Sequence, residues 1–318
     1  MGGTVRHQRD LQGDYHHRIF HALHDWERTW SGALDVAGEG ARARSLGFDQ
    51  LGHFGAPGCA LVVEELVRRL GPPDGTQLPS VLAEFGCGFG GALREVVRGL
   101  REHGVEVGRA VGFDLVWDHV RLFRTIQLSG AGGPAAGGPT EMAAAPEARP
   151  VQADVRAVPV RDGALDAVVC TGSLPHFADV PAVFAEAART LRPGGALVMT
   201  EEASLVADGR TVSAEFRHRH PPEIFFLTEA GERVAQLASA GFTDIEVRDL
   251  GTWARRLLHD RLKAMRLFFG DVAAIYGEEE TETLLGTLGA AREEYVSGAL
   301  LPALVTARRA HPGEIPEK

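Results

Sequence analysis

The sharpest change of pattern along the chain falls where a run of apolar positions meets a cluster of glycines. Val81 to Phe85 is mostly apolar and has the length of a buried strand. Gly86, Gly88 and Gly90 break it at alternate positions, and from Gly91 the segment Ala-Leu-Arg-Glu-Val-Val-Arg-Gly-Leu carries apolar residues at helical spacing. Strand, glycine turn and helix are thus predicted in that order. Further short apolar runs at 109–114, 150–155, 164–170 and 191–201 predict four more strands. Strands alternating with helices over about 80–202 predict a parallel sheet covered on both faces.

Outside that stretch the period is helical or absent. Ile19, Phe20, Leu23, Trp26 and Trp30 predict one amphipathic helix over 15–30, a candidate lid, preceded by a loose polar terminus at 1–14. Cys59 to Leu70 predicts a helix stopped by Gly71-Pro72-Pro73. Thr228 is a candidate N-cap for a helix ending near Gly241, and Phe242 to Leu250 predicts a strand. Two helices, 253–276 and about 278–296, and a last strand at 300–309 complete the reading. Residues 129–149 are Gly, Ala and Pro with almost no large apolar side chain, which predicts a flexible insertion. The expected units are an N-terminal helical cap (1–75), a core (76–202), a cap insertion (203–227) and a C-terminal part of the core (228–318) with a helical insertion at 253–296.

Composition narrows the function classes. The net charge of −10 argues against a general nucleic-acid binder, which needs a basic face. Cys59, Cys87 and Cys170 are far apart with no C-x-x-C pair, so neither a zinc site nor a disulfide framework is expected, and with no cluster of acids to identify no metal is expected either. No apolar run reaches the roughly 18 residues of a membrane span. The first ten residues lack the apolar core of a secretory signal, so a cytoplasmic location is expected. Heavy use of Ala, Gly, Arg and Val suggests a GC-rich bacterial source.

The glycine turn is the main carrier of chemistry. Glycine admits positive φ and lets a ligand lie against bare backbone, and the helix start beyond it offers unpaired N–H groups. Gly86, Gly88 and Gly91 satisfy G-x-G-x-x-G, the dinucleotide fingerprint. Glu84 also makes the stretch acidic-x-Gly-x-Gly-x-Gly. A carboxylate there would repel a pyrophosphate at close range, which argues against an NAD-dependent oxidoreductase.

The second pattern resembles motif I of the class I S-adenosylmethionine-dependent methyltransferases. The Leu-Arg-Pro-Gly-Gly-Ala-Leu-Val-Met-Thr-Glu stretch at 191–201 is similar to a later signature of that family, in its type 11 and ubiquinone/menaquinone-type small-molecule branch. The resemblance implies an α/β fold, a Rossmann-like seven-stranded mostly parallel sheet with the last strand antiparallel, helices on both faces and a helical cap. It implies S-adenosyl-L-methionine as cofactor. Glu84, Gly86, Gly88 and Gly90 would hold the methionine end; Asp114 and Leu115, the ribose; Asp154 and Val155, the adenine; Thr171 would lie beside them. Asp114 follows Gly86 by more than the usual twenty or so residues, so a longer exit from the first helix is expected.

The expected reaction is methyl transfer to a small, partly apolar metabolite in bacterial natural-product biosynthesis, by a protein that could form a homodimer. A cofactor-binding cyclase or binding protein on the same fold is an alternative. Such a displacement needs no protein nucleophile; it needs alignment and exclusion of water. His176, after the fourth strand, is a candidate general base, its ordinary pKa lying near neutrality; the other reading is a helix cap or a contact to the cofactor tail. Glu201 is a candidate for orienting the acceptor, with Glu202 beside it at the strand edge. Arg217, His218, Arg219 and His220 form a basic cluster that could grip a carboxylate or phosphate, or sit in a solvated loop. His53 is a further pocket candidate. Trp30, Phe54, Phe225 and Phe226 suit an apolar or cyclic acceptor.

Overall fold

The computed structural model describes residues 2–38, 46–70, 80–131 and 148–314. Its centre is a seven-stranded sheet: β1 (Ser80–Phe85), β2 (Val107–Asp114), β3 (Ala148–Gln152), β4 (Leu165–Thr171), β5 (Leu191–Glu201), β8 (Phe242–Asp249) and β9 (Ala303–Arg309). A two-stranded ribbon adds β6 (Leu205–Val206) and β7 (Thr228–Glu229). The order in the large sheet is β3-β2-β1-β4-β5-β9-β8. Strands β1 to β5 run parallel, and β9 lies antiparallel to both β5 and β8. The expected sheet, with its last strand reversed, is the one observed.

The helices are α1 (Gly2–Ile19), α2 (Trp26–Ala37), α3 (Gly55–Leu70), α4 (Gly91–Glu102), α5 (Trp117–Ala131), α6 (Val180–Thr190), α7 (Ala214–Arg219), α8 (Ala230–Ser239), α9 (Gly251–Leu267), α10 (Phe269–Tyr276) and α11 (Glu278–Ser297). Strand side chains alternate between two apolar clusters, as a period of two requires. Leu82, Ala167, Val169, Ala196 and Val198 meet α3, α4, α9 and α11. Ala83, Phe85, Val168, Leu197 and Met199 meet α6 and α8. Successive strands leave β1 in opposite directions toward β2 and β4, so a crevice opens at the carboxyl ends of β1 and β4.

Several boundaries differ from the sequence reading. Residues 1–14 are not a loose terminus: from Gly2 onward they belong to α1. The helix expected over 15–30 is broken, because Phe20 is extended and Asp25 caps a new helix by accepting from Arg28 N at 3.0 Å. Thr228 is not a cap, since it pairs with Leu205 in the ribbon. The 253–276 helix is interrupted at Phe268. Asp154 and Val155 lie past the end of β3 rather than in it. The expected insertion falls on residues that, from 132 to 147, lie outside those described.

Candidate functional site

A cavity of about 200 Å³ lies at the carboxyl ends of β1, β2, β4 and β5, with mostly apolar walls. Its floor is the glycine turn. Gly86, Gly88 and Gly90 have φ of 75°, 51° and 75°, a region that disfavours any residue with a Cβ. A Cβ on Gly86 would come within 2.6 Å of Ser173 Cβ, and one on Gly90 would enter the Phe123 ring. These two glycines are therefore required by the packing as well as by the backbone.

Asp114 ends β2 and ties the turn down. Its Oδ2 accepts from Gly88 N at 2.9 Å; its Oδ1 accepts from Val116 N at 2.9 Å and lies 3.1 Å from His119 Nδ1. Burial opposes its ionisation, but the His119 charge and these hydrogen bonds hold its carboxyl below the usual range. Leu115 and Val155 line the same end of the cavity. Asp154 lines it too, with its carboxylate paired to Arg156 at 2.7 Å.

Glu84 is fully buried one layer behind the wall. Thr171, which does face the cavity, donates its hydroxyl to Glu84 Oε1. Glu84 Oε2 is buried with no hydrogen-bond partner. Burial pushes this carboxyl up to about 8, against the opposing effect of the Thr171 hydrogen bond.

His176 lines the cavity from a short 3-10 turn, Leu174–His176. Its Nδ1 lies 3.1 Å from the Ile224 carbonyl. A carbonyl only accepts, so Nδ1 carries the proton and Nε2 the lone pair. Burial pushes its pKa down to about 4, so the ring is neutral at pH 7 and a weak base.

Two sequence expectations are corrected. Glu201 does not face the cavity. The strand period turns it to the opposite sheet face, where it pairs with the buried Arg233 at 2.7 Å and accepts from Ser204. The basic cluster does not converge either, because consecutive residues of the short helix α7 point in different directions. Arg217 donates to the Phe225 carbonyl at 3.5 Å, His218 is exposed, and Arg219 pairs with Glu215 at 2.9 Å. His220 is buried, stacked on Phe216 at 4.0 Å, and burial pushes its pKa down to about 4. None of the four lines the cavity.

Residues 132–199 match a family described as a methyltransferase domain. No curated protein sequence matches the chain. Among solved structures, phosphoethanolamine N-methyltransferase 2 of Haemonchus contortus superposes with a TM-score of 0.63 at 16% identity, over 79% of this chain. The chain spans only 53% of that protein's length. The geranyl diphosphate C-methyltransferase of Streptomyces coelicolor A3(2) gives 0.57 at 18% identity, covering 79% of this chain and 77% of its own. The [4+2]-cyclase SpnF gives 0.55 at 18%, covering 79% and 81%. The fold is that of the class I S-adenosylmethionine-dependent methyltransferases.

On this methyltransferase fold, two contributors to the site were missed in the sequence, and a third was noticed there only beside Glu201 at the strand edge. The first is α1, which closes the cavity: Gln12 Nε2 donates to the His176 carbonyl at 2.7 Å, and the His16 ring lies 4.7 Å from His119 and 5.4 Å from His176. The second is Asp49, which lines the cavity and pairs with Arg94. The third is Glu202. It lines the cavity, its Oε1 accepts from Thr200 Oγ1 at 2.9 Å, and its Oε2 accepts from Phe54 N at 3.3 Å. Burial pushes its carboxyl up to about 7. The signal was present in the alternation of β5, which puts Thr200 and Glu202 on the face opposite Glu201. His53, which was anticipated, lines the cavity beside Glu202; burial keeps it neutral, and its Nδ1 has no partner. No group of three or more His, Cys, Asp or Glu among the described residues is arranged to hold a metal ion. No described helix is long and apolar enough to cross a membrane.

Proposed function

We propose that the protein transfers a methyl group from S-adenosylmethionine to a small, partly apolar acceptor. The observation that carries this reading is the buried carboxyl of Glu84, with one oxygen unpartnered, behind a turn of three positive-φ glycines. A cationic amino group satisfies that oxygen; a pyrophosphate does not. The family match and the likeness of fold to solved methyltransferases support it.

When bound, the cofactor supplies an activated methyl on a sulfonium. Glu84 with Thr171 would take the ammonium, Asp114 and Leu115 the ribose, and Asp154 and Val155 the adenine. Asp114 also keeps Gly88 in place through its N–H, so cradle and ribose contact share one carboxylate. His176 is neutral, with its lone pair on Nε2, and acts by shaping and drying the cavity rather than by removing a proton. Gln12 and Tyr15 of α1, with Phe225, close the opening and exclude water. The composition supports a bacterial role, and the mostly apolar walls of the cavity suit a small, partly apolar metabolite.

Calorimetry should show binding of S-adenosylmethionine and S-adenosylhomocysteine and no binding of NAD. Uptake of NAD with no response to the sulfonium would overturn the assignment. The fold also carries the cyclase SpnF, so turnover should be followed by S-adenosylhomocysteine release. A converted acceptor with no such release would favour the non-methylating alternative.

A further inference from the structure

We propose that the acceptor is an amine on an apolar body, without phosphate or carboxylate, and that Glu202 receives its N–H. This rests on the methyl-transfer reading of the same cavity and names the acceptor class. Two observations carry it. Among the described residues, the cavity is lined by the carboxylates of Asp49, Asp114, Asp154, Asp179 and Glu202; Asp49 is paired with Arg94, the one lining cation, Arg156, is paired with Asp154, and Arg261 behind the Glu202 wall is bound to the Gly52 and His53 carbonyls. No lysine lines it, and the arginines expected to grip an anion point elsewhere. Among the described residues an anionic acceptor would meet no lining cation that is not already engaged, and the carboxylates would repel it.

The second observation is how Glu202 is built in. It stands two strands from Glu84 across the sheet, about 10 Å at the usual strand spacing, and four residues further along the strand direction, with Thr171 of β4 paired to Thr200 between them. The methionine end and the acceptor end of the cavity are thus separated along one sheet face. Thr200 Oγ1 and the backbone N–H groups of Phe54 and His53 hold the Glu202 carboxyl in place, leaving acceptor capacity for a ligand N–H. His53 lies beside it with Nδ1 unpartnered, a second polar group on the same wall. The Glu202 oxygens call for a donor on the incoming molecule, and His53 Nδ1 can pair with a donor or an acceptor according to its tautomer.

An amine arrives as an ammonium and must lose a proton before it can attack. That proton passes to the Glu202 carboxylate. The amine lone pair then forms the new carbon–nitrogen bond, the carbon–sulfur bond breaks with its electron pair remaining on sulfur, and the charge that was on sulfur ends on nitrogen. No oxidant, reductant or further reactant is involved.

The test uses the full chain saturated with S-adenosylhomocysteine and four probes of equal tail length: octylamine, octanol, octanoate and octyl phosphate. Octylamine should bind at least about tenfold more tightly than octanoate or octyl phosphate, the difference expected for one charge-assisted hydrogen bond. Glu202→Gln should cut octylamine affinity by about the same factor and leave octanol and S-adenosylhomocysteine affinities unchanged. Equal binding of amine and anions, tighter binding of an anion, or no binding of octylamine would each overturn the proposal. The comparison among probes needs only the wild-type protein, so a poorly folding variant does not blunt it. Titrations without S-adenosylhomocysteine separate the two readings: failure of that ligand to bind counts against methyl transfer, while amine preference is still read directly.

Discussion

Glu84 shows what burial adds to a motif. The acidic position before the glycines marks where an amino group goes, but a letter in a sequence does not reveal a protonation state. Held up to about 8 by burial, the Glu84 carboxyl is mostly protonated at pH 7 in the free protein. An ammonium placed against it stabilises the ionised form and lowers its pKa. Cofactor binding at pH 7 should therefore release close to one proton, and affinity should rise between pH 6 and about 8. Calorimetry in two buffers of different ionisation enthalpy measures the released proton. Glu84→Gln should abolish the release and weaken binding. His176 makes no contribution there, because a group with a pKa of about 4 carries no proton to lose.

Among the elements, α1 is where sequence reasoning stopped short. The strands and the glycine turn were legible because apolar runs and glycine punctuation have fixed periods. Helix α1 reaches the cavity with Gln12, His16 and other polar side chains, and polar residues buried in a cavity leave the same trace as polar residues in water. Glu201 and Glu202 erred in the opposite sense: both were noticed, but only the strand register says which one faces the ligand. The histidines under α1 also make its closure sensitive to acid. Burial holds His16 well below the usual histidine range and His176 at about 4, with His119 packed against His16. Their stabilising contribution is complete above about 6.5, the unfolded value, and is lost as pH falls toward 4. The pair between His17 of α1 and Asp118 of α5, at 3.0 Å, is about one-third exposed and weak. Glu84 and Glu202 act in the reverse direction. Their raised values stabilise the fold below the ordinary carboxylate range, and that contribution is lost as pH rises through about 7 and 8. A global melting curve mixes these terms, so local exchange is the informative measurement. Between pH 7 and 5, after correction for intrinsic rates, amide protection over residues 5–19 should fall before that of β1 and β4.

The molecule divides its labour between a sheet that supplies stability and a cap that supplies enclosure. The two large apolar clusters on either face of the sheet contain no residue of α1. Leu11, Tyr15 and Ile19 belong instead to small satellite clusters with Phe225 and with Phe20. Removing residues 2–19 therefore takes little from the core, while it strips the cavity of Gln12, His16 and the edge of Tyr15. Methyl transfer depends on a dry, closed cavity more than on any single acid or base, so function should fail before the fold does. The truncated chain should unfold cooperatively, with a melting temperature lowered by only a few degrees, as expected for the loss of about 1–2 kcal/mol. S-adenosylhomocysteine should dissociate from it about tenfold faster or more, since the ligand would no longer wait for a helix to lift. Stopped-flow displacement and calorimetric melting measure the two halves of this claim on one sample. Loss of cooperative unfolding would make α1 part of the core, and an unchanged dissociation rate would show that the cavity is closed by something else.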